Sequence, residues 1–247
     1  MFFVPPCEVF FIRFHSCHSL INLAFSLRMD YNESMKTILC YGDSNTWGYD
    51  PRTADRYDHK TRWPMAMARI LNRNSPPEDP LWWVVEEGLN GRTSCREDPV
   101  EGDKNGLRQL IPILESHKPL DVIAVMLGTN DLKPRFNPSP YDIACGAQRV
   151  VLAARDSKFG PGGSEPKLIM ICPPPTVESP FFRHIFGDTV ELSGKLAGIY
   201  HQLALECGAI FLDAGKYVKT SSADGIHFEP EGHLALAEAM ADIVKKL

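Results

Sequence analysis

Two short blocks of this sequence carry side chains that could do chemistry together. The first is Lys36-Thr-Ile-Leu-Cys-Tyr-Gly-Asp-Ser-Asn-Thr-Trp-Gly48. Its apolar run, Ile38 to Tyr41, reads as a buried strand, and the hydroxyl of Ser44 follows on a sharp turn. Ligands of an open α/β sheet sit just beyond the carboxyl ends of the strands, so a serine there stands where a nucleophile would be expected. Asp43 and Ser44 could equally cap the next helix, and the stretch alone does not choose. The second block is Asp224-Gly-Ile-His227. A serine hydroxyl is a poor nucleophile unless a base takes its proton and a third group orients that base. Asp and His three residues apart on one turn can hydrogen-bond, carboxylate to Nδ1–H, leaving the other imidazole nitrogen to point outward. Taken alone, an Asp cap beside an incidental histidine is the plainer reading.

The elements that must position these groups follow from the apolar pattern. Strands are expected at Ile38–Tyr41, Leu81–Glu87, Asp121–Leu127, Lys167–Cys172 and Ala209–Asp213. Asp121–Leu127 is the strongest, a continuous apolar run of the kind found in a central parallel strand. Helices are expected from Arg62-Trp63-Pro64 onward, with Met65, Met67, Ile70 and Leu71 as the inner face. Others fall at Asn105–His117, Tyr141–Arg155 and Thr189–Cys207, and from Glu229-Pro-Glu-Gly232 to Lys246. Pro112 predicts a kink or a shortened helix in the second of these. Thr176–Gly187, aromatic and proline-bearing, reads as an irregular lid or an interface patch. Strand and helix alternating through five rounds imply a three-layer α/β/α sandwich with a five-stranded parallel sheet, flavodoxin-like in class. Polar loops at the strand ends, Asn90-Gly91 and Gly128-Thr-Asn-Asp131 among them, then share one edge of the sheet with Ser44 and His227.

Composition narrows the function. The chain has 247 residues, 44% hydrophobic and 23% charged, enough for one large domain with its own core. A net charge of -5 and the lack of a basic cluster argue against nucleic acid as a partner. No apolar run is long and clean enough to span a bilayer, so no membrane partner is expected. The seven cysteines, at 7, 17, 40, 95, 145, 172 and 207, form no C-x-x-C pair and suit a reducing, cytoplasmic compartment. Residues 1–34 are expected to be an extension outside the fold, poorly ordered or not native, with Met35 as an alternative start. Residues 35–247 would form the catalytic domain. The first turn lacks G-x-G-x-x-G and a Gly-Lys-Ser/Thr ending, which sets a nucleotide-binding module aside. Asp224, His227 and Asp213 make no convincing ligand set, so no metal is expected.

Gly42-Asp-Ser-Asn, Asn90-Gly91, Gly128-Thr-Asn-Asp131 and Asp224-Gly-Ile-His227 occur in the order and contexts of the four blocks of SGNH/GDSL hydrolases. The resemblance runs from about Met35 to the C-terminus. The longer phrases around these blocks are similar to the bacterial arylesterase/acyltransferase branch. That resemblance implies a serine esterase acting on short-chain acyl esters of small molecules, without a cofactor. Some members pass the acyl group to alcohols or peroxide, and some are oligomers, which leaves a homo-oligomer open here. A carbohydrate O-acetyl esterase, a thioesterase or a lysophospholipase is the alternative on the same machinery. Carried over, the family implies Ser44 as nucleophile, His227 as base and then acid, and Asp224 as the group that orients it. The Ser44 and Gly91 backbone N–H groups and the Asn130 side chain would form the oxyanion hole. Asp43 is expected to accept loop N–H bonds rather than titrate in the reaction. Trp47 and Trp63 are candidates for the acyl or alcohol pocket, with buried packing as the alternative. One departure stands out: position 45 is Asn where the first block usually has Leu. Phe181, Phe182, His184 and Phe186 are candidates for a rim or an oligomer contact.

Overall fold

The protein is described by a computed structural model, which covers residues 35–247. The expected extension at 1–34 lies outside the described residues. Five strands, β1 (Lys36–Gly42), β2 (Trp82–Gly88), β3 (Val122–Met126), β4 (Lys167–Cys172) and β5 (Ile210–Asp213), form one sheet. Their order is β2-β1-β3-β4-β5, and every pair is parallel. The helices are α1 (Ser44–Trp47), α2 (Trp63–Leu71), α3 (Gly106–His117), α4 (Pro140–Asp156), α5 (Pro180–Phe186), α6 (Val190–Gly194), α7 (Leu196–Glu206) and α8 (Pro230–Val244).

The central strands are buried on both faces, which is why their sequences are unbroken apolar runs. Leu39, Tyr41, Ile123, Val125, Leu168 and Met170 face one layer, against Leu110 and Leu114 of α3, Val150 of α4 and Leu203 of α7. Their neighbours in sequence, Ile38, Cys40, Val122, Ala124, Ile169 and Ile171, face the other layer, against Trp63 and Met67 of α2 and Leu236 and Met240 of α8. The strand period of two thus divides each run between two cores. Because β2 lies on one side of β1 and β3 on the other, the chain reverses direction across the sheet at β1. The loops leaving β1 and β3 part there and open a crevice at the carboxyl edge.

Three expectations need correction. The segment around Phe181 and Phe182 is not irregular throughout, because α5 occupies its second half. The Ser179 hydroxyl accepts from the Phe182 N–H at 2.9 Å, Pro180 takes the first turn, and Phe182 stacks on Phe186 inside the core. The expected helix over Thr189–Cys207 is two helices, parted at Lys195. Gly194 weakens helix continuity there, and the Ser193 hydroxyl is committed to Val190 O at 2.6 Å and to the Thr176 N–H at 3.0 Å. Pro112 does not shorten α3, which runs continuously to His117. Pro112 lies on the exposed side, where water can take up the carbonyl that loses its partner.

Candidate active site

The turn after β1 is built to present Ser44. Asp43 caps α1, its Oδ1 accepting from the Asn45 N–H at 3.0 Å. Gly42 is required by close approach: a Cβ there would lie 2.1 Å from Thr46 Oγ1 and 2.9 Å from Met126 O. Burial raises the Asp43 carboxyl to about 6, opposed by the Asn45 N–H, by His227 and by Arg92. Asp43 thus sits behind the serine and accepts a loop N–H bond, the contact expected of it.

The second block folds into a tight loop around its own carboxylate. Asp224 Oδ1 accepts the N–H groups of Ile226 at 2.9 Å and His227 at 3.0 Å. Its Oδ2 meets His227 Nδ1 at 2.5 Å, and His227 Nε2 lies 2.8 Å from Ser44 Oγ. All three side chains are buried. Burial pushes the Asp224 carboxyl up, but the His227 hydrogen bond and charge, with the two N–H groups, outweigh it and hold the net value below the usual range. The arrangement can pass a proton from Ser44 Oγ to Nε2 while Asp224 fixes the tautomer. Tyr49 covers the imidazole, with ring centroids 4.2 Å apart.

The remaining blocks place hydrogen-bond donors beside Ser44. Gly91 has φ +80, a conformation that other residues adopt only with strain. The Asn130 amide donates to Arg92 O at 3.1 Å, which orients it and leaves its second N–H free. Ser44, Gly91, Asn130 and His227 all line one cleft of about 150 Å³. Two buried residues hold these loops in register. Asp131 accepts from the Ser94 N–H at 2.9 Å and the Ser94 hydroxyl at 2.6 Å. The Arg92 guanidinium donates to Gly42 O and Glu87 O and lies over the Tyr41 ring. Sequence reasoning did not assign these roles to Arg92 and Asp131. Asp131 stands inside one recognised block and Arg92 directly follows another, which was the only signal available.

The expected pocket tryptophans do not line the cleft. Trp63 is fully buried in the core between α2 and α8, because α2 begins there and turns it inward. The Trp47 ring lies under the Arg56 guanidinium, 5.1 Å from the ring centroid, away from the cleft. The walls are instead Tyr49, Phe181, Ile185, Phe186 and Ile226 on an apolar side, and Asn90, Glu101 and Lys133 on a polar side. Of the expected rim, Phe181 and Phe186 reach the cleft, Phe182 belongs to the core and His184 does neither. Asn45, the departure from the usual block, donates to Ile226 O at 3.4 Å and so links the serine helix to the histidine loop. His233 of α8 is fully buried, and burial, with the charges of His227 and Arg62, lowers it to about 3. Among the described residues, no three His, Cys, Asp or Glu side chains converge as metal ligands, and no helix is long and apolar enough to cross a membrane.

Comparison with known proteins places this geometry. The model of the GDSL-like lipase/acylhydrolase family matches residues 40–235. Among solved structures, a carbohydrate acetylesterase from Sinorhizobium meliloti is 36% identical with a TM-score of 0.79, covering 85% of this chain and 99% of that one. The M. smegmatis aryl esterase is 36% identical with a TM-score of 0.78, covering 86% of this chain and 99% of that one. A putative arylesterase from Agrobacterium tumefaciens is 36% identical with a TM-score of 0.77 and the same coverage. A comparison with curated proteins finds no match.

Proposed function

Since the chain belongs to the GDSL-like lipase/acylhydrolase family and is a carboxylic ester hydrolase of SGNH type, we propose that it cleaves short-chain acyl esters of aryl and alkyl alcohols through an acyl-enzyme on Ser44. The observation that carries this reading is the unbroken relay from Ser44 Oγ through His227 to Asp224. Ser44 Oγ attacks the ester carbonyl carbon and its proton passes to His227 Nε2. Asp224 stabilises the imidazolium. The negative charge that gathers on the carbonyl oxygen is met by the Ser44 and Gly91 N–H groups and the free Asn130 N–H. The C–O bond to the alcohol breaks, and His227 returns the proton to the departing oxygen. Water then attacks the acyl-enzyme, losing its proton to His227, and Ser44 is released with the acid.

An alcohol in the place of water would receive the acyl group, and hydrogen peroxide would yield a peracid. The small cleft supports a short acyl chain, since pockets for drug-sized ligands typically run from about 300 to 1,000 Å³. We place the protein in the cytoplasm, because its five described cysteines are free thiols, a state that suits a reducing compartment.

A fluorophosphonate probe should label Ser44, and Ser44→Ala should lose label and p-nitrophenyl acetate turnover together while its melting temperature holds. Labelling at another serine, or turnover in the alanine variant, would overturn the assignment.

A further inference from the structure

An aromatic side chain that the relay itself does not use lies against its imidazole. The Tyr49 ring centroid is 4.2 Å from that of His227, and the two planes are 32° apart, nearer to stacked than to edge-on. The backbone of the serine helix puts Tyr49 there. Gly48 ends α1 at φ +88, and the N–H groups of Gly48 and Tyr49 both donate to Ser44 O, at 2.9 and 3.0 Å. The chain then turns back, and Tyr49 pairs with Arg56 in an antiparallel bridge. Tyr49 is thus fixed to the loop that carries the nucleophile, while the ring it covers belongs to the loop that carries the base.

Both nitrogens of that imidazole are committed, Nδ1 to Asp224 and Nε2 to Ser44. What Tyr49 meets is the face. Burial, with the charges of Asp224 and Asp50, raises the Tyr49 phenol above its ordinary value, so the ring stays neutral through the neutral pH range.

His227 is a cation only while it holds the proton taken from Ser44 or from water. Its side chain is buried, so that charge has little water to solvate it. An aliphatic cover would leave it so. The face of a neutral aromatic ring carries a negative potential and attracts a cation. The other titratable groups that act on this imidazole are Asp224 on its own loop, Asp43 from the turn after β1 and His233 from α8. Of these, His233 is neutral, because burial lowers it to about 3.

We propose that Tyr49 is a positioning residue of the relay that also stabilises the imidazolium, its ring face standing in for water over His227 while the proton is in transit. The proposal rests on the esterase reading of this site and adds a group to its machinery.

Tyr49 also lines the cleft, so simple truncation would mix its effect on His227 with contact to substrate. Ring fluorination separates the two, since it drains the negative potential from the face with little change of shape. Tyr49→Phe should keep kcat/KM for p-nitrophenyl acetate within about twofold of wild type. Mono-, di- and trifluorinated phenylalanines at the same position should lower it stepwise, by about tenfold at the last. The acid limb of the pH profile should move to lower pH with each fluorine, by up to about one unit, since a less favoured imidazolium forms only in stronger acid. Melting temperature is followed alongside, and fluorinated tyrosines read against wild type give the same series if Tyr49→Phe does not fold. A trifluorinated ring as active as Tyr49→Phe would overturn the proposal. So would a falling rate with an unmoved acid limb, which would make Tyr49 a substrate contact alone. Absence of p-nitrophenyl acetate turnover in the wild type would instead overturn the esterase reading.

Discussion

Ser44 Oγ and His227 Nε2 lie 2.8 Å apart, although 183 positions separate them in the chain. The two loops that carry them are rigid for separate reasons. Asp43 caps the serine helix, and Asp224 gathers the N–H groups of Ile226 and His227. Asn45 then ties one loop to the other through Ile226 O. The contact between Ser44 and His227 is therefore already made without substrate.

Asn130, which lines the cleft beside Ser44, is the proposed side-chain donor to the oxyanion. Asn130→Ala should lower kcat for p-nitrophenyl acetate by about 10²–10³, with a much smaller change in KM, because the charge it meets develops only in the transition state. A change confined to KM would remove Asn130 from that role.

The cleft limits the acyl chain. Along acetyl, butyryl and octanoyl p-nitrophenyl esters, kcat/KM should fall by at least about tenfold from first to last, since a cleft of about 150 Å³ has to hold the alcohol half of the ester as well as the acyl chain. A preference for octanoyl would mean that the apolar wall of Phe181 and Ile185 opens, and would count against the short-acyl assignment.

Asp43 gives a stability signature with a defined sign. Its carboxyl is raised from 3.8 to about 6 in the folded protein, mainly by burial. The folded state therefore holds this proton more tightly than the unfolded chain does. The resulting stabilisation is fully present below 3.8 and is lost once pH has risen through about 6. Two pH units correspond to about 3 kcal/mol. Asp43→Asn retains an oxygen to cap Asn45 but cannot titrate. The difference in melting temperature, variant minus wild type, should rise between pH 4 and pH 7 and be flat above pH 7. A flat difference throughout would show that Asp43 titrates normally.

Trp63 tests the division between core and pocket. Trp63→Ala should cost about 3–5 kcal/mol of stability by chemical denaturation, as expected for deleting a fully buried indole. Its effect on relative rates across the acyl series should be small. A large shift in chain-length preference with little loss of stability would return Trp63 to the pocket.

The apolar runs at Ile38–Tyr41 and Asp121–Leu127 determined the sheet, because residues buried on both faces leave a continuous signature in sequence. The four blocks that meet at the cleft were legible for a related reason. Each is a local turn whose backbone needs are written in adjacent residues, such as Asp224 capping its own loop, and a parallel sheet delivers all such turns to one edge. What lines the cleft was not legible. Trp47 and Trp63 were natural candidates by residue type, yet α2 turns Trp63 into the core and Arg56 covers Trp47. The walls come from Tyr49, Phe181, Glu101 and Lys133, drawn from four separate stretches. A side chain's direction depends on the rotation of its element against the sheet, and whether a lysine is buried depends on which carboxylates reach it. Both are set by contacts between distant segments. The chemistry therefore belonged to the sequence, and the shape and polarity of the space around the substrate belonged to the packing.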